Sequence, residues 1–166
     1  KNCINNDLAN NYGNLCQRVF SFIKKNCENR VPKSDTFSKE DETLTNKLKN
    51  DIPKLNELIN NQDLNNYIKK VIEYSFDSNK YFNDSEPWSL KKTNQKKMNS
   101  VLYSIVEQIK NISILLLPII PNSANKILDI MNIKKEQRII SEINKNDNLV
   151  HDKELGNIQI LFKKVE

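Results

Sequence analysis

An all-α fold, a single helical bundle, is what this sequence predicts, and three observations carry the prediction. Only 2 glycines and 5 prolines occur in 166 residues, too few for the tight turns an all-β chain needs. Apolar residues recur at helical spacing along most of the chain, beginning with Leu8, Tyr12, Leu15, Cys16, Val19, Phe22 and Ile23. Capping residues and prolines fall between these stripes and not within them, with Pro53 as the exception. A chain of 166 residues can bury a core as one domain, so we assign 1–166 to one bundle, with 134–166 as a tail packing back on it.

The first helix should span Asn6 to Lys25. Its apolar stripe is core, and Asn10, Asn14 and Arg18, at successive i+4 steps, stack as a ridge on the polar side. Two amides and a guanidinium fork suit a base edge or a phosphate, although a solvated helix face has the same periodicity. Asn26 to Ser38 lacks a period and contains Pro32, so it reads as a loop. Ser38, followed by Lys39, Glu40 and Asp41, is an N-cap for a second helix through Leu44, Leu48, Ile52 and Leu55. Pro53 lies inside that stripe and should break it near Asp51. Asp63 caps a third helix, running through Tyr67, Val71 and Ile72 and ending by Asn83-Asp84-Ser85. Glu86-Pro87-Trp88 then forms a short connection, because a residue before proline is pushed away from helix. A fourth helix should begin near Thr93 or Asn94 and run to Leu117 as the most buried element. Pro118 and Pro121 end it, and Ser123 should cap a short fifth helix. Ile139, Ile140 and Ile143 suggest a further turn, and Asn157 to Phe162 alternates as an extended tail.

Composition narrows the function. The net charge of +5 suits a polyanionic partner. Cys3, Cys16 and Cys27 are odd in number and lack metal-binding spacing, and His151 is the only histidine, in a polar tail. A disulfide framework, a zinc site and a histidine-based triad are therefore not expected, and a reducing compartment is. The opening KNCINNDLAN has no apolar core of a signal peptide, and the apolar run Ile112 to Ile120 is too short to cross a bilayer. No glycine-rich phosphate loop or nucleophile elbow is present, so no catalytic residue is assigned. Asp77, Asp84 and Glu86 near Trp88 read as solvated carboxylates.

Two segments resemble a known family. Asn5 to Arg18, N-x-D-L-A-N-x-x-G-N-L-x-x-R, is similar to the opening helix of the anticodon-binding domain of methionyl-tRNA synthetases. Asn79-Lys80-Tyr81-Phe82, followed by Glu86-Pro87-Trp88-Ser89-Leu90 and Lys92, resembles that family's N-x-Y…P-W-x-L-x-K segment. The ending Leu161-Phe162-Lys163-Lys164-Val165-Glu166 resembles its L-F-P-R-I-E close, with Lys163 in place of proline. The resemblance implies that Trp88 stacks on the first anticodon base, cytosine, and that Asn14 and Arg18 bond to the anticodon, supported by Asn10 and Pro87. Single-stranded RNA is read by that combination of aromatic plane and polar edge. Lys91, Lys92, Lys96 and Lys97 could hold tRNA backbone phosphates, or simply solvate a helix start.

The H-I-G-H and K-M-S-K-S signatures of the whole enzymes are missing, so this chain should not activate an amino acid. The resemblance implies a cytoplasmic, monomeric recognition domain for tRNA(Met), partnered by its own catalytic domain, which is absent here. No metal or cofactor is expected in it, since ATP and zinc belong to the catalytic part. Two alternatives stay open at this point: the anticodon domain of a cysteinyl or valyl enzyme, and a protein-interaction bundle with Trp88 in its core.

Overall fold

The opening stripe folds into two registers, not one. A π-helical turn, Leu8–Gly13, leads into α1, Asn14–Asn26. The wide turn is pinned from outside: the Asn79 side-chain amide donates to the Asn11 carbonyl at 3.0 Å, and the buried Tyr12 hydroxyl meets Ser113 Oγ at 2.5 Å. Periodicity alone could not show this, because both partners lie more than sixty residues away. The computed structural model describes residues 7–145 and 150–158.

α2 is Lys39–Asn50, started by the expected Ser38 cap as a full capping box: the Ser38 hydroxyl accepts from the Asp41 amide and the Asp41 carboxylate accepts from the Ser38 amide. Asp51 ends it and α3, Ile52–Asn60, begins at once with Pro53 in its first turn, which is the predicted break. α4 is Leu64–Ser85, capped by Asp63 as expected. Glu86 then adopts a left-handed conformation, φ 43°, and stops the helix.

The next element corrects the sequence reading. Pro87 does not open a loop; it occupies the first turn of a short helix, α5, Pro87–Thr93. Proline's fixed φ and missing N–H fit a first helical turn, where that donor has no partner anyway. Asn94 caps α6, Gln95–Leu116, accepting from the Lys97 amide at 3.0 Å. Ser123 makes no cap: α7, Pro121–Ile130, again starts on proline, with Ile120 before it. A 3₁₀ turn, Lys135–Gln137, and a single turn, α8, Ile140–Ile143, follow; Ile143 is buried there while Ile139 is exposed.

α6 is the axis of the bundle, as the sequence implied. Every residue from Ser100 to Leu116 is buried, with α4, α7, α2, α5 and α1 packed around it. It is not apolar all round. Lys110 is 0% exposed and is paired with Glu107 at 2.8 Å. The Tyr67 hydroxyl reaches in to the Leu115 carbonyl at 2.7 Å, and burial pushes that phenol up to about 12.

Residues 150–158 return to the bundle by pairing with the loop after α1. The Val31 amide donates to the Lys153 carbonyl, Asp152 to Val31 and Leu155 to Asn29, at 2.9 to 3.1 Å. Val150 and Leu155 are buried in consequence. His151 is therefore structural: its ring lies edge-on to Tyr103 at 4.4 Å, and its Nε2 accepts from the Ser34 amide. Cys16 and Cys27 are free thiols, and burial pushes both up. Cys3 and the alternating tail beyond Ile158, with the Leu161 to Glu166 ending, lie outside the described residues.

Candidate nucleic-acid interface

The corner between α4, α5 and α1 holds an open groove of about 480 Å³. Phe82, in the last turns of α4, is its buried floor. Trp88 stands beside it edge to face, with ring centroids 5.8 Å apart, and keeps 45% of its surface exposed. A buried tryptophan would be spent on the core; this one presents a half-open indole. Glu86 and Pro87 set it there, since the left-handed residue turns the chain and the proline restarts a helix one residue before the indole.

Arg18 faces Trp88 across the same floor. Its guanidinium carbon lies 5.0 Å from the Phe82 ring centroid, and Nη2 donates to Asn83 Oδ1 at 2.7 Å. Ring and amide together hold the guanidinium over Phe82. Phe22 closes the floor from α1, 6.4 Å from Phe82. Lys91, on α5, reaches back to Asn26 Oδ1 at 2.9 Å and joins the two walls. Arg18, Lys25 and Lys91 all line the groove, and among the described residues no carboxylate does. Such a recess offers an aromatic plane to a base and positive potential to a phosphate.

The structure thus brings Arg18 and Trp88 together from distant parts of the chain. Pro87 is buried and offers no contact surface; its contribution is to position Trp88. Asn10 and Asn14 are exposed on the α1 side but do not line the groove, and the Asn14 amide donates to the Asn10 carbonyl. The four lysines separate as well. Lys91 lines the groove, and Lys92 and Lys96 are exposed beyond it. Lys97 is half-buried with its ammonium on Ser38 Oγ at 2.5 Å and Asp41 at 3.5 Å.

Sequence reasoning missed Phe82, Asn83, Phe22 and Lys25 as parts of this site. Phe82 and Asn83 lie in or beside the N-x-Y…P-W segment, where spacing shows only a helix stripe and a helix end. Nothing in the spacing marks Lys25, whose place depends on how α1 crosses α5. Nearby carboxylates are engaged elsewhere: Asp77 pairs with Lys47 at 2.6 Å and Asp84 with Lys80 at 2.5 Å. Among the described residues no group of His, Cys, Asp or Glu could hold a metal ion, and no helix is long and apolar enough to cross a membrane.

Comparison with known proteins identifies the family of the fold. A family profile described as the anticodon binding domain of methionyl tRNA ligase matches residues 31–166, which include Trp88 but not Arg18. The methionine–tRNA ligase of Rickettsia prowazekii is 36% identical over 166 residues, covering 97% of this chain and 32% of the relative. That of Brucella suis is 34% identical over 142 residues, covering 86% of this chain and 28% of the relative. The crystal structure of free Mycobacterium tuberculosis methionyl-tRNA synthetase superimposes with a TM-score of 0.91 at 29% identity, covering 98% of this chain and 33% of that one. The chain therefore spans about a third of the length of the relatives it matches. These matches do not favour a cysteinyl, valyl or protein-interaction reading. The chain belongs to the anticodon-binding domain family of methionyl-tRNA ligases.

Proposed function

We propose that this chain reads the cytosine-adenine-uracil anticodon of tRNA(Met) on the groove between Arg18 and Trp88. One observation carries the reading: an indole exposed over 45% of its surface shares a recess with a guanidinium held over Phe82, and among the described residues its lining has cations and no carboxylate. The unstacked cytosine lies on Trp88, Arg18 bonds to the anticodon, and Asn14 and Asn10 contact bases further along α1. Lys91, Lys92 and Lys96 hold backbone phosphates. The domain works without metal or cofactor of its own. A full-length cytoplasmic enzyme, with ATP and zinc in its catalytic part, would join methionine to the tRNA so held, and this domain would act in it as a monomeric unit.

Trp88→Ala tests the reading. The affinity for a methionine-tRNA anticodon stem-loop should fall by roughly 1–3 kcal/mol, the value of one base–aromatic stack. The melting temperature should change far less than loss of a core aromatic would require, about 3–5 kcal/mol. Trp88→Phe should recover part of the affinity. Unchanged affinity in a folded Trp88→Ala protein overturns the stacking role.

A further inference from the structure

Four polar side chains sit together on one side of the most buried helix. Ser104, Glu107, Gln108 and Asn111 of α6 are spaced i, i+3, i+4 and i+7, which places them on one face over successive turns. None is more than 4% exposed. Yet five of their atoms, Ser104 Oγ, Glu107 Oε2, Gln108 Oε1 and both amide atoms of Asn111, have no hydrogen-bond partner among the described residues. Turning the Asn111 amide over only exchanges one unbonded atom for the other. Asn11 Nδ2 and Asn29 Oδ1 share this condition elsewhere, but each stands alone, and the other end of each amide is bonded, to Asn79 and to the Leu155 carbonyl. Buried polar groups are nearly always satisfied, and five unmade bonds in one place would cost as much as the whole stability of an ordinary domain.

We propose that this face of α6 binds a cluster of about two internal waters, since a buried water makes roughly three hydrogen bonds. The mixture of donors and acceptors selects that ligand. An amide N–H lies beside carboxylate, carbonyl and hydroxyl oxygens, so the occupant must both accept and donate. A cation would suit the oxygens and oppose the Asn111 N–H, and the charge of Glu107 is already balanced by Lys110 at 2.8 Å. An anion would face the carboxylate, and an apolar group would leave every bond unmade. Water meets both kinds of atom and fits a closed core. None of these residues lines the Trp88 groove, so hydration here is independent of anticodon reading.

Oxygen-17 magnetic relaxation dispersion counts long-lived internal waters in solution, and it applies to the full-length ligase that carries this domain. Asn111→Leu removes a donor and an acceptor while keeping a similar shape, so it should lower the count by about one to two. Asn111→Ser is smaller and still polar, and it should keep the count or raise it by about one. A high-resolution crystal structure of the unsubstituted enzyme reads the same face whether or not Asn111→Leu folds. It should show solvent density about 2.7–3.2 Å from Asn111 Nδ2 and from Gln108 Oε1. A count unchanged in folded Asn111→Leu, or lowered equally by Asn111→Ser, overturns the proposal. So does density ringed by oxygens at about 2.3–2.6 Å, which is a bound cation, or a face whose side chains bond directly to one another with no solvent between them.

Discussion

The centre of α6 and the corner between α4, α5 and α1 use polar residues in opposite ways. In α6, Lys110 and Glu107 are sealed inside the bundle and meet each other at 2.8 Å. At the corner, Arg18 and Lys91 are exposed and touch neutral amides, Asn83 and Asn26, which orient them without neutralising their charge. The first arrangement uses charge to specify packing, and the second keeps charge available for a ligand. Fold and recognition should therefore respond to different substitutions.

The largest effect is expected in the interior. Lys110→Ala leaves Glu107 charged and buried, so it should cost about 3–5 kcal/mol of stability, read as a shift in the denaturant midpoint. Replacing both together, Lys110→Met with Glu107→Gln, should return much of that loss. If Lys110→Ala changed stem-loop affinity while the protein was still folded, the division between interior and corner would be wrong.

A step smaller is Asp41, which ties three helices near the corner. It accepts from the Tyr81 hydroxyl on α4 and the Ser38 amide at the start of α2, and it faces the Lys97 ammonium on α6 at 3.5 Å. Burial works to raise its carboxyl, but those donors outweigh burial and hold it below the ordinary carboxylate range. A depressed acid contributes stability above its unfolded value, about 3.9, and that contribution fades as pH falls through the folded value. Asp41→Ala should cost about 1.5–3 kcal/mol at neutral pH, as for hydrogen bonds to a charged group. The gap from the parent protein should close progressively below about pH 4. Asp51 and Glu73 are also held low, so the difference between the two proteins must be followed, and not the parent alone. A gap that stayed constant to about pH 2 would mean Asp41 acts by packing only.

Glu86 offers a smaller effect of the opposite sign. Its φ of 43° is costly for a residue with a Cβ, by roughly 1–2 kcal/mol, and glycine removes that cost while losing some entropy in the unfolded chain. Glu86→Gly should therefore raise stability by up to about 1 kcal/mol in thermal melts. Destabilisation instead would show that contacts of the Glu86 side chain outweigh the backbone strain.

How much of this was legible follows from the range of the signals. Ser38, Asp63 and the break at Pro53 act within a few residues, so their chemistry is visible in the sequence and the structure repeats it. α5 was hidden because proline reads equally well as a helix stop or a helix start, and the left-handed Glu86 that decides between them leaves no mark on composition. The π-helical turn depends on Asn79 and Ser113, far along the chain. In the site, Arg18 and Trp88 could be named from their motifs, but the ring between them could not. Phe82 sits on a helical stripe that looks the same whether it packs only on the core or also carries a guanidinium.

The smallest predicted effect tests that point on the lysines, which the sequence grouped as Lys91, Lys92, Lys96 and Lys97. Removing one cation that neutralises a phosphate should flatten the plot of log affinity against log salt by about 0.7 for a single strand. Lys92→Ala and Lys96→Ala, both exposed, should each flatten it by that amount and lower affinity less than about tenfold at moderate salt. Lys91→Ala should do more, because the same ammonium also joins α5 to Asn26. Lys97→Ala should leave the slope unchanged and lower stability instead, since its ammonium is already committed to Ser38 and Asp41. Stem-loop titrations across a series of salt concentrations separate these cases. Equal slope changes for all four variants would show that Lys97 leaves Asp41 when RNA binds, and that this part of the scaffold belongs to the recognition surface.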